Sequence, residues 1–410
     1  MSETIVIAGA GHAAGQAAVS LRQGGFSGHI VMIGEEPYLP YQRPPLSKKF
    51  LAGKVELDRL LIRHEKYYDE HKIEVRLSTR VADIDRNKKS VTLGDGDQLA
   101  YDRLLLATGS KVRELDTPGI DLEGVHYLRT IDDVLKMRDR FQPNARLIVI
   151  GAGYIGLEVA AVAVKKGLSV TVVEMADRVM SRVVAPEVST FFERVHREEG
   201  VDIRCGRDPN SVLTGDGRVR ALRAHDGSEL PADLVVVGVG IVPNVGLAEA
   251  AGLECDNGII VDEYCRTSDS HILAIGDCTN HPNNLLGRRL RLESVHNAQE
   301  QAKTAAATLC GDLRPYNEVP WFWSDQYDLK LQIVGVSGEH DAVVLRGNPD
   351  ERSFAAFYMK GDLLIAVDAI NSAREFMLSK KLIAMGARME PEILADTSIP
   401  FKDLADAALA

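Results

Sequence analysis

Cysteine is scarce in this chain: five residues in 410, Cys205, Cys255, Cys265, Cys278 and Cys310, scattered and without a Cys-x-x-Cys pair. That count and spacing exclude a disulfide scaffold, a zinc cage and a resident iron–sulfur ligand set, so no metal site is expected; they suit the reducing cytoplasm. Long apolar runs are missing too. No stretch reaches the roughly 18–20 residues of a membrane helix, and Met1-Ser2-Glu3-Thr4 lacks the basic-then-apolar pattern of a signal peptide, so no membrane partner is expected and the chain reads as mature from its first residue. Positive charge is in deficit, with 48 Lys and Arg against 59 Asp and Glu and a net charge of −11, which disfavours a nucleic-acid binder. What is present is ordinary for a folded soluble protein, 45% hydrophobic and 26% charged, which excludes disorder. The length exceeds one comfortable core and predicts two or three domains of about 100–200 residues.

The first structural signal is a strand, Thr4-Ile5-Val6-Ile7-Ala8, running into Gly9-Ala10-Gly11-His12-Ala13-Ala14-Gly15, a helical stretch Gln16 to Arg22, and a second strand, His29 to Ile33, that ends at Gly34-Glu35-Glu36. Glu35 lies 24 residues beyond Gly11. This is a βαβ unit with an acid at the ribose position of a dinucleotide. The device recurs: Arg146 to Ile150, then Gly151-Ala152-Gly153-Tyr154-Ile155-Gly156, helical Leu157 to Ala161, strand Leu168 to Val173, and Glu174 at 21 residues beyond Gly153. In each loop the first glycine permits the tight turn and the second admits a pyrophosphate to the backbone. The third packs helix on strand, and the helix N-terminus attracts the anion. Ala14 stands at the third position of the first loop, a small residue the pattern tolerates. Two nucleotide cofactors follow.

Leu104-Leu105-Leu106-Ala107-Thr108-Gly109 and Leu234-Val235-Val236-Val237-Gly238-Val239-Gly240-Ile241-Val242-Pro243-Asn244 are two further strands ending in glycine turns, read as crossovers between domains. Ile272 to Gly276 is another strand, and it ends by presenting Asp277. From about Val319 the pattern changes: Trp321-Phe322-Trp323 holds both tryptophans, three strand-like runs follow, and a helix is expected from Ala373 to Met385. The predicted fold is α/β, with two Rossmann-like dinucleotide-binding domains, one inserted in the other, plus a mixed α+β C-terminal domain. Its boundaries are 1–112 with 244–318 for the first nucleotide domain, 113–243 for the second and 319–410 for the last.

Together the two glycine fingerprints, Ala107-Thr108-Gly109 and Ala274-Ile275-Gly276-Asp277 resemble the two-dinucleotide-binding-domain flavoprotein reductases. Tyr41-Gln42-Arg43-Pro44-Pro45-Leu46-Ser47-Lys48, Arg291-Leu292-Glu293-Ser294-Val295-His296-Asn297-Ala298 and Pro320-Trp321-Phe322-Trp323-Ser324-Asp325-Gln326 look like the NADH-dependent ferredoxin reductases that serve bacterial cytochrome P450 and aromatic dioxygenase systems, the putidaredoxin reductase type. The resemblance spans essentially the whole chain. It implies noncovalent FAD in the first domain, with Gly9, Gly11 and Ala14 at the pyrophosphate, Glu35 on the adenosine ribose, and Arg43 and Arg129 near the phosphates or adenine. Asp277 is implied at the ribityl chain, Val81 and Thr108 along the cofactor, and Pro45, Lys48, Val295 and Trp323 around the isoalloxazine. Gly151, Gly153, Tyr154, Ile155, Gly156, Glu174 and Gly240 form the set expected for NADH.

One departure from the wider superfamily decides the chemistry. Glu36 to Lys49 contains no cysteine, so no thiolate can relay electrons to a disulfide. A flavin can instead accept a hydride and release electrons singly to a [2Fe–2S] ferredoxin, with the protein supplying alignment and electrostatics. The resemblance implies a Lys48–Glu158 pair beside the flavin; independent surface charges or a structural ion pair are the alternative. Glu174 favours NADH by accepting from a ribose 2′-OH and repelling a 2′-phosphate, with Arg178 the nearest counter-indication. Arg288, Arg289 and Arg291 form a basic patch expected to dock an acidic ferredoxin, unless they are simply solvated. Trp323 either carries electrons or packs the ring. The other readings are an NADH-dependent reductase of a small molecule such as monodehydroascorbate or a quinone, and a binding flavoprotein resembling apoptosis-inducing factor.

Overall fold

The structure is a computed structural model that describes residues 3–207, 209–215, 217–224 and 227–409. The chain divides into two compact units: Met1–Arg43, Leu57–Lys111 and Ile241–Pro320 form the first, and Pro44–Glu56, Val112–Gly240 and Trp321–Ala410 the second.

In the first unit, short apolar runs build an all-parallel sheet, since both faces of such a sheet are buried, and the one strand with polar alternation, Ile73–Arg76, lies at its edge. The strand order is Ile272–Ala274, Arg103–Leu106, Thr4–Ala8, His29–Ile33 and Ile73–Arg76. Side chains alternate between two cores. Ile5, Ile7, Ile30, Met32 and Leu105 face the helices His12–Gln23 and Val295–Leu309, whose alanines Ala14, Ala17, Ala18, Ala298, Ala302 and Ala305 permit close approach. Val6, Ala8, Val31, Ile33, Leu104 and Leu106 face the antiparallel strands Val81–Asp85, Ser90–Leu93 and Gln98–Ala100. The two crossover turns bind each other: the Thr108 hydroxyl donates to the Asn244 carbonyl at 2.7 Å, and the Asn244 amide donates to the Thr108 carbonyl at 2.9 Å.

The second unit repeats the parallel sheet, in the order Asp202–Arg204, Ser169–Val173, Arg146–Ile150, Leu234–Val237 and Val125–Tyr127. It adds a five-stranded antiparallel sheet, Trp321–Gln326, Leu329–Gly335, Leu363–Ile370, Ser353–Lys360 and Ala342–Asn348, and the helix Ala373–Ala384. The fold is the expected α/β arrangement with an α+β end.

The grouping departs from the expected boundaries in two respects. Residues of the expected second and third domains share one compact unit, and so does Pro44–Glu56, expected with the first. The reason is local: Leu46, Phe50 and Leu51 are buried, and the Arg138 guanidinium lies 5.5 Å above the Phe50 ring. Among the described residues no helix is long and apolar enough to cross a membrane.

Candidate functional site

The first glycine loop is built for backbone approach. Gly9 has φ +121°, and a Cβ there would lie 2.2 Å from the Ala107 carbonyl oxygen, so no other residue fits the turn. Gly11 caps the helix His12–Gln23 with no side-chain hydrogen bond, no acid occupies the first turn, and nothing lies within 4 Å of a Cβ built on it. Uncapped N–H groups beside open space form an anion seat. The His12 Nδ1 behind this seat is buried with no hydrogen-bond partner. Burial, with the Arg43 cation adding and Asp277 opposing, pushes the His12 imidazole down to about 4, so it is neutral at neutral pH.

The first unit contains most of the residues that the resemblance implies for FAD. Arg43 donates to Glu36 at 2.6 Å and to the Tyr41 hydroxyl at 3.1 Å, and Tyr41 donates to Glu36 at 2.5 Å, so the guanidinium is held in one orientation. Asp277 accepts from the Ser110 hydroxyl at 2.9 Å. Gln301 Oε1 accepts from Gly276 N at 2.7 Å and from the Thr279 hydroxyl at 2.9 Å, fixing the turn that carries Asp277. Val81 is half-buried against the sheet core, and Val295 begins its helix behind the Ser294 cap. Glu35 is exposed at the end of its strand, 3.4 Å from Arg80. The residues present fit a dinucleotide: cradle, open helix N-terminus, orphaned imidazole nitrogen and a fixed acid.

The second loop follows the same construction. A Cβ on Gly151, φ +99°, would meet the Gly238 carbonyl oxygen at 2.5 Å; one on Gly156 would meet the Gly151 carbonyl oxygen at 2.1 Å; Gly153 faces open space and caps the helix Tyr154–Lys165 without a side chain. This too fits a dinucleotide. Glu174 accepts from Ala152 N at 2.7 Å and from Ala176 N at 2.9 Å, one bond to each oxygen, and so braces the loop. Ile155 is 42% exposed on the first turn, uncommon for isoleucine, and Gly240, φ +107°, bends the strand exit. The Tyr154 ring lies 4.9 Å from Phe322, and burial, with the charge of Asp368 adding, raises its phenol well above the usual range.

The most concentrated polar arrangement of the second unit centres on Glu158, which is 1% exposed. Lys48 Nζ donates to Glu158 Oε2 at 2.7 Å, the Ser47 hydroxyl to the same oxygen at 2.5 Å, and the Ser324 hydroxyl to Oε1 at 2.6 Å. The lysine also donates to the Pro44 carbonyl at 3.3 Å, through the 3-10 turn Pro44–Ser47 that carries Pro45. A buried carboxylate with one cation and two hydroxyl donors is a fully compensated charge. It fixes the ammonium group in turn.

Pro45, Lys48, Arg129 and Trp323 thus belong to the second unit, whereas Gly9, Gly11, Ala14, Glu35, Arg43, Val81, Thr108, Asp277 and Val295 belong to the first. Arg129 directly precedes the Thr130 cap of the helix Ile131–Arg138. Trp323 is half-buried, 5.5 Å from Trp321 and 6.4 Å from Phe322 between ring centroids. The basic patch in the first unit is less free than its sequence suggests: Arg291 is paired with Glu293, and Arg289 donates to the Val261 and Asn280 carbonyls. All five cysteines are free thiols, and burial raises each above the ordinary thiol range, which suits none of them to redox relay.

Sequence reasoning missed Ser47, Ser324 and Gln326. The signal was present in the run Trp321–Gln326, where two polar side chains two residues apart share the strand face opposite Trp321 and Trp323. Glu36 and Tyr41, the clamps on Arg43, were missed as well.

Two family models match the chain: pyridine nucleotide-disulphide oxidoreductase over residues 3–302, and reductase C-terminal over residues 321–405. Rhodocoxin reductase of Rhodococcus erythropolis is 45% identical, over 97% of this chain and 93% of that protein. Putidaredoxin reductase of Pseudomonas putida is 43% identical, over 100% of this chain and 98% of its own length. The crystal structure of the covalent putidaredoxin reductase–putidaredoxin complex matches with a TM-score of 0.97 and 43% identity, covering 100% of this chain and 99% of that one.

Proposed function

The chain belongs to the pyridine nucleotide-disulphide oxidoreductase family, and from that premise we propose that it is an FAD-dependent NADH:ferredoxin oxidoreductase that supplies single electrons to a [2Fe–2S] ferredoxin of a cytochrome P450 or aromatic dioxygenase system. The observation that carries this reading is the combination of two uncapped glycine-loop helices with the thiol-free stretch from Glu36 to Lys49, where a disulfide reductase needs its redox pair. Full-length similarity to putidaredoxin reductase supports the partner class.

Bound FAD supplies the conversion between two-electron and one-electron transfer. The chain's own residues do the rest. Gly9, Gly11, Ala14 and the following N–H groups would hold the FAD pyrophosphate, Arg43 adds a clamped cation, Asp277 an acceptor for hydroxyls, and Glu35 an acid for a ribose. Gly151, Gly153, Tyr154, Ile155, Gly156 and Gly240 would hold NADH. Glu174 sits between two backbone donors with acceptor capacity left on each oxygen, which suits a ribose 2′-OH and repels a 2′-phosphate. Lys48, held at 2.7 Å by Glu158, would favour negative charge where hydride is received. Trp323 is assigned to packing or electron passage beside Trp321. In the docking patch Arg288 and Arg289 carry the steering charge, because Glu293 neutralises Arg291. Five free thiols suit a cytoplasmic location.

An anaerobic titration of the purified yellow protein tests the reading. NADH is expected to reduce noncovalent FAD with two electrons per flavin, and oxidised [2Fe–2S] ferredoxin to reoxidise it at a salt-dependent rate. Bound FMN, four electrons per flavin, or turnover with quinones but no ferredoxin would refute it.

A further inference from the structure

Beyond Glu158 the second unit contains a row of polar side chains that the site above does not use. The Ser324 hydroxyl that donates to Glu158 Oε1 lies 3.2 Å from Gln326 Nε2; Gln326 Oε1 lies 2.8 Å from His196 Nε2; and His196 Nδ1 lies 2.9 Å from the Tyr327 hydroxyl. Ser47, Glu158, His196, Ser324 and Gln326 are each 1% exposed or less. They come from the turn Pro44–Ser47, the helices Tyr154–Lys165 and Pro186–Glu198, and the strand Trp321–Gln326. Elements far apart in the chain thus bring their polar side chains into one continuous buried row.

The direction of every bond follows from one end. An ionised carboxylate only accepts, so Ser324 donates to it and has its lone pairs free for Gln326. Gln326 must then present its NH₂ to Ser324 and its carbonyl to His196. A carbonyl only accepts, so His196 carries its proton on Nε2. Burial drives the imidazole down to about 4, so it is neutral and Nδ1 is an acceptor, fed by the Tyr327 O–H. Four donors therefore point one way, toward Glu158. The amide in the row does not pass protons at ordinary cost, so the row acts as aligned dipoles rather than as a proton path.

We propose that Tyr327, His196, Gln326 and Ser324 form a polarised positioning chain that orients the Glu158 carboxylate, and through it fixes the Lys48 ammonium in place. The proposal rests on the reading of Lys48 given above. The groups facing Glu158 are Lys48, Ser47 and Ser324; those facing His196 are Gln326 and Tyr327, with the Lys165 ammonium 5.1 Å from the far Tyr327 ring. Lys48 is the one cation bonded to Glu158 among the described residues, and it shares Oε2 with Ser47, so loss of the Ser324 hydroxyl leaves Oε1 without its donor and the carboxylate free to turn away from the geometry that holds Lys48.

The test uses the holoenzyme. Nitrogen NMR of histidine-labelled protein, with the His196 signal identified by its loss in His196→Gln, is expected to show a neutral imidazole protonated on Nε2. Infrared difference spectra of Ser324→Ala against wild type at neutral pH are expected to show a shift of carboxylate stretching bands, absent when the Ser324→Ala/Glu158→Gln double variant is compared with Glu158→Gln. Hydride transfer from NADH is expected to slow on the order of tenfold in Gln326→Leu, with the KM for NADH within about twofold, as for a positioning rather than a binding defect. If Gln326→Leu does not fold, Ser324→Ala, which removes one buried atom, takes its place in the kinetic assay. A His196 protonated on Nδ1 or charged, or a Ser324→Ala spectrum with unshifted carboxylate bands, overturns the chain. Unchanged hydride transfer in Lys48→Met, with both spectroscopic results as expected, overturns the role of Lys48 instead.

Discussion

The two units share a five-stranded parallel sheet, a glycine loop on its middle strand and an acid at the end of the next strand, yet their interiors differ. Among the described residues the first unit buries hydroxyls, amides and one neutral histidine, whereas the second buries Glu158, Arg346 and Asp368. The acids differ as well: Glu35 is exposed beside Arg80, while Glu174 is bonded to the backbone through both oxygens. Shared topology therefore leaves the electrostatics open. The first unit has the makings of a clamp, with fixed polar groups around an anion seat; the second holds buried charges whose compensation can be disturbed. Breaking that compensation is the most direct way to test the contrast.

The largest effect is expected at the Lys48–Glu158 pair. Lys48→Met removes the cation and leaves Glu158 buried with two hydroxyl donors, which is expected to destabilise the protein by about 3–5 kcal/mol, the usual cost of orphaning a buried charge. Adding Glu158→Gln is expected to recover a large part of that loss, because a neutral amide needs no counter-charge. Denaturant midpoints of the single and double variants check this. Equal stability of wild type and Lys48→Met would place the pair with ordinary surface bridges.

Asp368 comes next. It is buried with the Tyr358 hydroxyl donating to it at 2.5 Å, and burial, opposed by that bond, pushes its carboxyl up to about 7. A carboxyl raised above its unfolded value stabilises fully below that value, near 4, and its contribution is lost as pH rises through about 7. His196 has the opposite sign: with a folded value near 4, its contribution is present above about 6.5 and is lost as pH falls. Asp368→Asn keeps an acceptor for Tyr358 and removes the charge. Between pH 5 and pH 8 the variant is expected to gain about 2–3 kcal/mol on wild type. Parallel pH curves for the two proteins would show that Asp368 does not titrate in this window.

Much of this contrast was legible in the sequence where periodicity and glycine spacing dictate structure. Both loops and the strands that flank them follow from apolar runs that have only one way to be buried. The Lys48–Glu158 pairing came from resemblance, since 110 residues separate the two. What was not legible depends on three-dimensional convergence. Pro44–Glu56 reads as a loop of the first unit, and only the burial of Leu46, Phe50 and Leu51 reassigns it. The row from Tyr327 to Ser324 needs His196 from a distant helix. Arg291 and Glu293, two apart in an extended stretch, were readable as a pair and weaken the patch.

The third glycine position gives the smallest and most specific difference between the units. The first loop has Ala14, fully buried, where the second has Gly156. A methyl group on Gly156 would lie 2.1 Å from the Gly151 carbonyl oxygen and 3.2 Å from Val149 Cγ1, and the first of these is backbone that itself shapes the loop. Gly156→Ala is therefore expected to cost about 1–3 kcal/mol and to weaken NADH binding, because relief of the clash must displace the loop. Ala14→Gly removes a methyl group and adds backbone freedom inside a helix, an expected cost of roughly 0.5–1 kcal/mol, with FAD retained through purification. Thermal unfolding of the two variants, with NADH affinity from the charge-transfer absorbance and FAD content from the visible spectrum, measures both arms. If Gly156→Ala binds NADH as wild type does, the second loop yields to a methyl group as the first has already done, and the two loops are equivalent at this position after all.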